Sequence, residues 1–240
     1  MNFVSQIKVA VILSDGKSLY FGCNLHPALK RRNQGLVKGA GEELLFFLNY
    51  PAGIVDGPDE GLADAALREL SEESAGFFFT LNKHPFFESA VWDSSSAILV
   101  SKEDLVSLNE SPIFISYFDP WKSAKMEIRF YFYLLVVPAI SLDVLNKFCS
   151  AAQSLDSEQE KFVAFKEVLG YKKILASEFF NAIDFFKGVS DGDDEWFFSK
   201  KEEPGLVFDG APFNKGYFAA TKKLLEDSAL RKKLFSLMNI

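Results

Sequence analysis

Three glutamates lie close together in one short stretch of this 240-residue sequence, and their spacing predicts a single acidic helix face. If residues 62–74 form a helix, Glu69, Glu72 and Glu73 stand at i, i+3 and i+4 and project from the same side. Apolar residues recur on the opposite side of this helix, which can therefore be buried against a core. Crowded carboxylates repel one another unless a positive group lies between them, and their hard oxygen ligands suit Mg²⁺ or Mn²⁺.

The surrounding stretch, residues 51–77, reads PAGIVDGPDEGLADAALRELSEESAGF and resembles the signature of the Nudix hydrolase family, G-x5-E-x7-R-E-U-x-E-E-x-G-U with U aliphatic. The matching positions are Gly53, Glu60, Arg68, Glu69, Leu70, Glu72, Glu73, Gly76 and Phe77. Two spacings depart from the signature, because six residues rather than five separate Gly53 from Glu60, and two rather than one separate Glu73 from Gly76. The last position is also aromatic where an aliphatic residue is usual. Both departures lie outside the REUxEE core, so the carboxylate face is retained.

The resemblance implies a metal-dependent active site built on this helix, with Mg²⁺ or Mn²⁺ as the cofactor. The implied metal ligands are the side chains of Glu69, Glu72 and Glu73 and the backbone carbonyl of Ala52. The implied catalytic residues are these three glutamates together with Arg68 and Glu127. Arg68 is expected to pair with a neighbouring carboxylate, Glu60 or Glu69, and to hold it in place.

Glu127 is a candidate because related pyrophosphatases supply a further carboxylate, as a metal ligand or as the general base, from a loop of this kind. In this sequence it ends a loop and directly precedes a strongly β-prone segment, residues 128–137. Asp119 and Glu88 are alternatives for the same role. A plain exposed glutamate at the start of a strand is the other interpretation.

The entry to the signature, PAGIVD, is similar to that of ADP-ribose and ADP-sugar pyrophosphatases, which favours a small nucleotide substrate such as ADP-ribose. Substrate contacts are expected from Gly53, from Arg31 and Arg32 as a phosphate clamp, and from Trp121 as a stacking surface for adenine, with Trp92 or a nearby phenylalanine as alternatives. The arginines could equally lie in a solvated loop, and each of these aromatic residues in the core. Dinucleoside polyphosphates, coenzyme A, capped RNA and inositol pyrophosphates stay open as substrates. A plain acidic helix and a nucleotide-sensing module without hydrolysis are the alternative functions.

Composition restricts the other function classes. Hydrophobic residues make up 48% of the chain and charged residues 25%, which is typical of a globular protein with a full core. The formal net charge of −7 gives no electrostatic basis for nonspecific nucleic-acid binding. Two cysteines exclude a disulfide framework and favour a reducing, cytoplasmic location. No apolar run reaches the length of a membrane span, and no secretory signal is visible.

The predicted fold is α+β, a Nudix α/β/α sandwich around a mixed sheet, with a helical insertion at about residues 141–169 and a C-terminal helical extension. The hydrolase domain is expected over residues 1–188 and the extension over residues 189–240. Hydrophobic periodicity and turn signals predict strands at residues 6–13, 19–23, 44–50, 85–92, 97–100, 112–117, 128–137 and 171–175. The same signals predict helices at residues 62–74, 142–152, 157–169, 177–186 with Ser177 as the cap, and 214–238. We also expect a hairpin turn at Asp15-Gly16, a loop at residues 24–43, and a helical turn at residues 101–108 that Ser101 caps.

Overall fold

The computed structural model describes residues 2–25, 46–80, 94–119, 124–154, 168–186, 207–208 and 211–240. These residues form an eight-stranded mixed sheet with helices on both of its faces, so the predicted α+β layering is confirmed. The strands are β1 (Asn2–Ser14), β2 (Ser18–Leu25), β3 (Phe46–Asn49), β4 (Ala52–Ile54), β5 (Phe78–Phe79), β6 (Ile98–Leu99), β7 (Val106–Ser107), β8 (Ile113–Asp119), β9 (Ala124–Val136), β10 (Val168–Leu175), β11 (Val207–Phe208) and β12 (Ala211–Pro212). The helices are α1 (Leu62–Glu73), α2 (Leu142–Ser154), α3 (Ala176–Phe185), α4 (Lys215–Glu226) and α5 (Ser228–Met238).

Strand β1 is the centre of the sheet. On one side it pairs in parallel with β9 along its whole length. On the other side it pairs antiparallel with β2 near Leu13 and with β4 at the Val9–Gly53 and Ala10–Ala52 positions. Strand β10 extends the sheet beyond β2, whereas β3 pairs with the edge of β2 that also meets β1. Strands β7 and β8 extend the sheet beyond β9. The short β4 therefore delivers Gly53 to the middle of the sheet, directly beside β1.

The first hairpin is fixed by the turn that the Asp-Gly pair predicts. Gly16 has a φ of 90°, a conformation in which a side chain would be strained. The Asp15 Oδ1 atom accepts hydrogen bonds from the backbone N–H groups of Lys17 at 3.0 Å and Ser18 at 2.7 Å. The turn thus sets the register of β1 and β2.

Side chains alternate along the strands, and two hydrophobic clusters result, one on each face of the sheet. On the first face, Val9, Val11 and Leu13 of β1 are buried under α1 and α2. On the second face, Ala10 and Ile12 are buried under α3, α4 and α5. The C-terminal helices consequently share one core with the central strands. We refer to the face under α1 as the α1 face.

Several predicted boundaries differ from the structure. The terminal helix predicted at residues 214–238 is wrong as a single element, because Asp227 leaves the helical conformation and caps α5 by accepting from Ala229 N and Leu230 N. Ser177 is not a cap, since α3 already begins at Ala176. Strand β9 begins at Ala124, so Glu127 lies inside a strand and not in a loop before it.

Other predicted elements agree with the structure or lie outside the described residues. The capped turn predicted after Ser101 is confirmed as a 3₁₀ turn with a Ser101–Asp104 capping box. In the predicted helix at residues 157–169, Val168 and Leu169 belong to β10, and the rest lies outside the described residues. The strand predicted at residues 85–92 also lies outside them. No helix among the described residues is both long and apolar enough to cross a membrane.

Candidate active site

The site begins where helix α1 packs against strand β4 at Gly53. A Cβ atom built on Gly53 would lie 2.0 Å from the carboxylate carbon and from Oε1 of Glu69. Real Cβ atoms essentially never show contacts below 3.0 Å, so no other residue fits here unless Glu69 moves. Glycine at this position lets a carboxylate from the helix lie against the backbone of the strand.

Arg68 connects the helix, the preceding loop and the strand. Its Nε donates to Glu60 Oε1 at 2.8 Å, and its Nη1 donates to Glu69 Oε1 at 2.6 Å. Its Nη2 donates to the backbone carbonyl of Ile54 at 2.8 Å, and Nη1 lies 3.5 Å from Glu72 Oε2. Both carboxylates that the sequence offered as partners thus pair with the same guanidinium. This positive group offsets the repulsion within the acidic face.

Glu60 fixes the loop that follows Gly53, which is one residue longer than the same interval in the signature. Its Oε2 accepts the backbone N–H of Asp56 at 2.6 Å and also Nη2 of Arg68 at 3.1 Å. Gly57 takes a φ of 80° within the same loop. The loop absorbs the additional residue, and Glu60 still reaches Arg68.

Glu73 points away from this network and into the protein. It is 7% exposed, and its Oε2 accepts the backbone N–H of Ala52 at 3.0 Å. Its Oε1 accepts from Asn24 Nδ2 at 3.3 Å, and its backbone carbonyl accepts from the Tyr171 hydroxyl at 3.3 Å. Glu73 therefore links the end of α1 to strands β2, β4 and β10.

The carbonyl of Ala52 faces the same edge of β4 as Glu73. Val11 N donates to Pro51 O at 2.8 Å, and Val55 N donates to Ile7 O at 3.1 Å, so hydrogen-bonded pairs alternate along β1 and β4. The Ala10–Ala52 pair falls between them and is a non-hydrogen-bonded pair. Both polar groups of Ala52 consequently point away from β1, and its N–H meets Glu73.

Burial changes the protonation behaviour of Glu69. Its side chain is 12% exposed, and loss of solvation raises its pKa to about 7 even though Arg68 acts in the opposite direction. The negative charge of Glu72 adds to the increase. For Arg68, the hydrogen bonds to Glu60 raise the pKa above its already high value, so it stays a cation. Glu69 can therefore take up or lose a proton near neutral pH.

The donor set fits a hard divalent cation by its chemistry, because it consists of carboxylate oxygens and one backbone carbonyl. In the described residues, no three His, Cys, Asp or Glu side chains are grouped so that they could hold a metal ion. The reason is visible in the geometry: Arg68 stands between Glu60, Glu69 and Glu72, while Glu73 faces inward.

Glu127 lies on the same face of the sheet as α1 but at a distance along β9. In the parallel pairing with β1 it stands opposite Ser5, whereas Tyr131 stands opposite Val9, which pairs with Gly53. The separation along the strand is four residues, or about 13 Å at 3.3 Å per residue. Glu127 Oε1 accepts from Arg129 Nη2 at 3.2 Å. Its role as ligand or base stays a prediction.

Three of the predicted substrate residues, Arg31, Arg32 and Trp121, lie outside the described residues, as does the alternative carboxylate Glu88. Asp119 is the last residue of β8. Asn24 is a site residue that the sequence analysis missed, because it placed this residue at the start of a loop. The available signal was a polar residue two positions after Gly22 in an alternating strand pattern.

No family model and no curated protein matches the chain. Among solved structures it is similar to an ADP compounds hydrolase, with 12% identity, 95% of this chain and 77% of that chain covered, and a TM-score of 0.40. It is similar to a NUDIX hydrolase from Nitrosomonas europaea, with 13% identity, coverages of 74% and 77%, and a TM-score of 0.34. It is also similar to a C. elegans Ap4A hydrolase, with 14% identity, coverages of 74% and 84%, and a TM-score of 0.34. At these values the assignment of activity rests on the geometry of the site.

Proposed function

We propose that this chain is a Nudix hydrolase that uses Mg²⁺ or Mn²⁺ to cleave the pyrophosphate linkage of a nucleoside diphosphate joined to another moiety. The observation that carries the proposal is the network of Arg68 with Glu60 and Glu69, together with the close approach of Glu69 to Gly53. A solvated acidic helix face would require neither feature. Both arise from positions of the signature, and both concentrate carboxylates at one edge of β4.

Four groups would hold the cation: the side chains of Glu69, Glu72 and Glu73 and the carbonyl of Ala52. When bound there, a divalent cation neutralises phosphate charge, polarises phosphorus and makes a water molecule more acidic. Arg68 holds Glu69 in one orientation by a hydrogen bond. Glu73 is held in the same way by Ala52 N–H and Asn24 Nδ2.

A carboxylate must also accept the proton of the attacking water. Glu69 is one candidate for this role, because Arg68 holds its carboxylate against β4 at Gly53. Glu127 is the other candidate, and its ion pair with Arg129 would keep it oriented on the same face of the sheet. The pH profiles of Glu69→Gln and Glu127→Gln distinguish these two candidates. Activity falls on the acid side of the profile when the base is protonated, so replacement of the base should remove that acid limb.

The substrate that we propose is ADP-ribose or a related nucleotide sugar. The PAGIVD sequence that enters the site supports this choice. An ADP compounds hydrolase and an Ap4A hydrolase are among the structures similar to the chain, which also fits a small nucleotide. Gly53 would lie beside the pyrophosphate, with Arg31 and Arg32 clamping phosphates and Trp121 stacking on the base. The net charge of −7 gives no electrostatic support for nonspecific binding of nucleic acid.

The direct test is a panel of diphosphates assayed with and without Mg²⁺. ADP-ribose, a nucleotide sugar, a dinucleoside polyphosphate, coenzyme A, capped RNA and an inositol pyrophosphate should be included. We expect metal-dependent phosphate-ester release, fastest with ADP-ribose. Binding of these compounds without turnover would instead identify a nucleotide-sensing module.

A second test addresses the role of Glu73. Glu73→Gln keeps the size of the side chain and removes the charge, and we expect Mg²⁺-dependent turnover to fall roughly 10³-fold, the effect of several kcal/mol of lost charge stabilisation. The matched control is Glu178→Gln on the exposed side of α3, which should leave turnover unchanged. Circular dichroism and thermal unfolding establish that both variants fold. Near-normal turnover of Glu73→Gln would remove this helix face from the mechanism.

We also propose domain boundaries and a location for the chain. We place the hydrolase domain at residues 1–188 and the extension at residues 189–240, with α4 and α5 of the extension packed on the sheet. A cytoplasmic location is supported by Cys23 and Cys149, which are buried free thiols.

A further inference from the structure

An exposed row of side chains crosses three strands on the α1 face, next to the candidate active site. Ile7 of β1 stands opposite Arg129 of β9, and Arg129 stands opposite Phe114 of β8. Residues that stand opposite each other point to the same face of a sheet, so these three side chains form one row. It is on the α1 face, because Ile7 precedes Val9 by two residues and Val9 is buried under α1.

The row is exposed although two of its members are large apolar residues. Phe114 is 48% exposed and Ile7 is 37% exposed, and the side chain of Arg129 is 42% exposed. The neighbours of Phe114 along β8, Ile113 and Ile115, are buried in the cluster on the second face. An apolar and aromatic surface with one charged group, placed beside an active site, is typical of a ligand-binding surface.

Arg129 is held beside the aromatic ring. Its Nε and Nη2 atoms donate to Glu127 Oε1 at 3.3 Å and 3.2 Å. Its guanidinium carbon lies 5.8 Å from the centre of the Phe114 ring, within the range of a cation–π contact. Aromatic rings and guanidinium planes are both surfaces on which nucleobases stack. The row therefore offers two adjacent stacking groups, and Ile7 adds an aliphatic contact.

The distance from the row to the candidate active site fits one nucleotide. Gly53 pairs with Val9, two residues along β1 from Ile7, and β9 is the next strand on the far side of β1. With about 3.3 Å per residue along a strand and about 4.8 Å between strands, Gly53 lies about 8 Å from Ile7 and about 12 Å from Arg129. In a nucleoside diphosphate, one ribose and one phosphate join the base to the pyrophosphate linkage and can bridge such a distance.

We propose that Ile7, Phe114 and Arg129 form the platform on which the nucleobase of the substrate stacks. We call these three residues the base platform. This inference rests on the proposed function for the identity of the ligand and deepens it, because it assigns the base to a surface of the sheet. The pyrophosphate would then lie at Gly53 and Glu69, with the ribose above β1.

The test measures the binding of AMP in the presence of Mg²⁺ by calorimetry. AMP carries the base and one phosphate but no pyrophosphate linkage, so its binding is measured without turnover. Ribose 5-phosphate is the matched ligand, because it lacks only the base. We expect Phe114→Ala to weaken AMP binding roughly 10- to 100-fold, the effect of one lost base stack, and to leave the affinity for ribose 5-phosphate unchanged.

Two variants refine this result and one controls it. Phe114→Tyr keeps an aromatic ring and should retain the affinity for AMP. Arg129→Lys keeps the charge but loses the planar guanidinium, so it should weaken AMP binding and not that of ribose 5-phosphate. Phe185→Ala is the matched control, because Phe185 is 80% exposed at the end of α3, on the other face of the sheet. It should bind AMP as the unsubstituted chain does.

Kinetics with ADP-ribose provide the second readout. Phe114→Ala should raise KM by a factor similar to the loss of AMP affinity and leave kcat largely unchanged, because the stack is present in the ground state and the transition state alike. If no diphosphate is hydrolysed but AMP binds as expected, the proposed function fails and the base platform stands.

Four results would overturn the inference. They are absence of AMP binding to the unsubstituted chain, equal AMP affinity in Phe114→Ala, an equal loss for ribose 5-phosphate, and a loss of AMP affinity in Trp121→Ala alone, which would place the base at Trp121. Size-exclusion chromatography adds a further check. A change of oligomeric state in Phe114→Ala without a change in AMP affinity would identify the row as a contact between copies of the chain.

Discussion

The sharpest prediction concerns Gly53→Ala, which adds one methyl group at the closest contact in the site. The new Cβ would lie 2.0 Å from the Glu69 carboxylate, and contacts below 3.0 Å are essentially never seen, so the carboxylate must move by about 1 Å or more. Such a shift breaks the 2.6 Å hydrogen bond from Arg68 Nη1 to Glu69 Oε1. Displacement of a catalytic group by about 1 Å lowers activity roughly 10²-fold. We expect that loss in kcat/KM for whichever diphosphate the panel identifies.

The free energy of unfolding should change far less than the activity. Alanine in place of glycine restricts the unfolded chain and stabilises by about 0.4–1 kcal/mol, because the φ of Gly53 is not positive. Loss of the Arg68–Glu69 ion pair, which is partly exposed, destabilises the fold by about 1 kcal/mol and so offsets this gain. Denaturant unfolding should therefore give a net change within about 1 kcal/mol.

Gly57→Ala is the control, because it should change the stability of the protein and not its activity. Gly57 has a φ of 80° and no atom within 4 Å of an added Cβ, so only backbone strain of about 1–2 kcal/mol results. This variant should lose stability and keep its activity. If Gly53→Ala retained full kcat/KM, the close approach of Glu69 to β4 would have no part in catalysis.

Two further substitutions test the interactions of Arg68 and Asp15. Arg68→Lys keeps the charge but lacks the planar guanidinium that reaches Glu60 and Glu69 together. We therefore expect a roughly 10- to 100-fold loss of activity or metal affinity. Unchanged kinetics would argue against an orienting role of Arg68. For Asp15, burial alone would raise the pKa, but the hydrogen bond from Lys173 and those from the turn outweigh it and lower the pKa to about 2. Because the folded-state pKa is the lower one, the stabilisation is present above pH 4 and is lost as the pH falls toward 2. Asp15→Asn should therefore reduce the free energy of unfolding by about 1 kcal/mol at pH 7, a value that allows for solvent screening at the exposed Lys173. The difference between the two proteins should vanish in acid. A constant difference between pH 2 and 7 would contradict the ionic origin.

The parts of the fold that depend on local chemistry could be predicted from the sequence. Helix α1 was expected at residues 62–74 and spans Leu62–Glu73, because its apolar and acidic positions follow the helical period. The turn at Gly16 was expected because an Asp-Gly pair favours the positive φ of a hairpin turn. In both cases neighbouring residues alone decide the conformation.

The parts that depend on distant partners could not be predicted in this way. Glu73 was expected to share a face with Glu69 and Glu72, but its carboxylate is drawn inward by Ala52 N–H and Asn24, 21 and 49 residues away in the chain. Strand β9 begins at Ala124 because it pairs with β1 as far as Asn2, a contact with no local signal.

The two spacings that differ from the Nudix signature are absorbed without disturbing the contacts of Arg68. After α1, Ala75 N donates to Glu72 O and Gly76 N donates to Ser71 O, the hydrogen-bond pattern of a Schellman motif. Ala75 takes the left-handed position with a φ of 53°, and Gly76 follows with a φ of 80°. The additional residue thus lengthens the turn and leaves the helix in register.

On the other side of the helix, Glu60 still reaches Arg68 at 2.8 Å although its loop carries one residue more than the signature. The contacts that define the site run between Gly53, Glu60, Arg68 and Glu69, and none of them depends on the length of either turn. Irregular spacing at the ends of the signature is therefore compatible with an intact network of Glu60, Arg68 and Glu69. What the spacing does change is the exit of α1, where the chain passes from Glu73 into a buried turn at Ser74 and Ala75. An effect on activity of the insertion after α1 should consequently act through Glu73, the glutamate next to that exit.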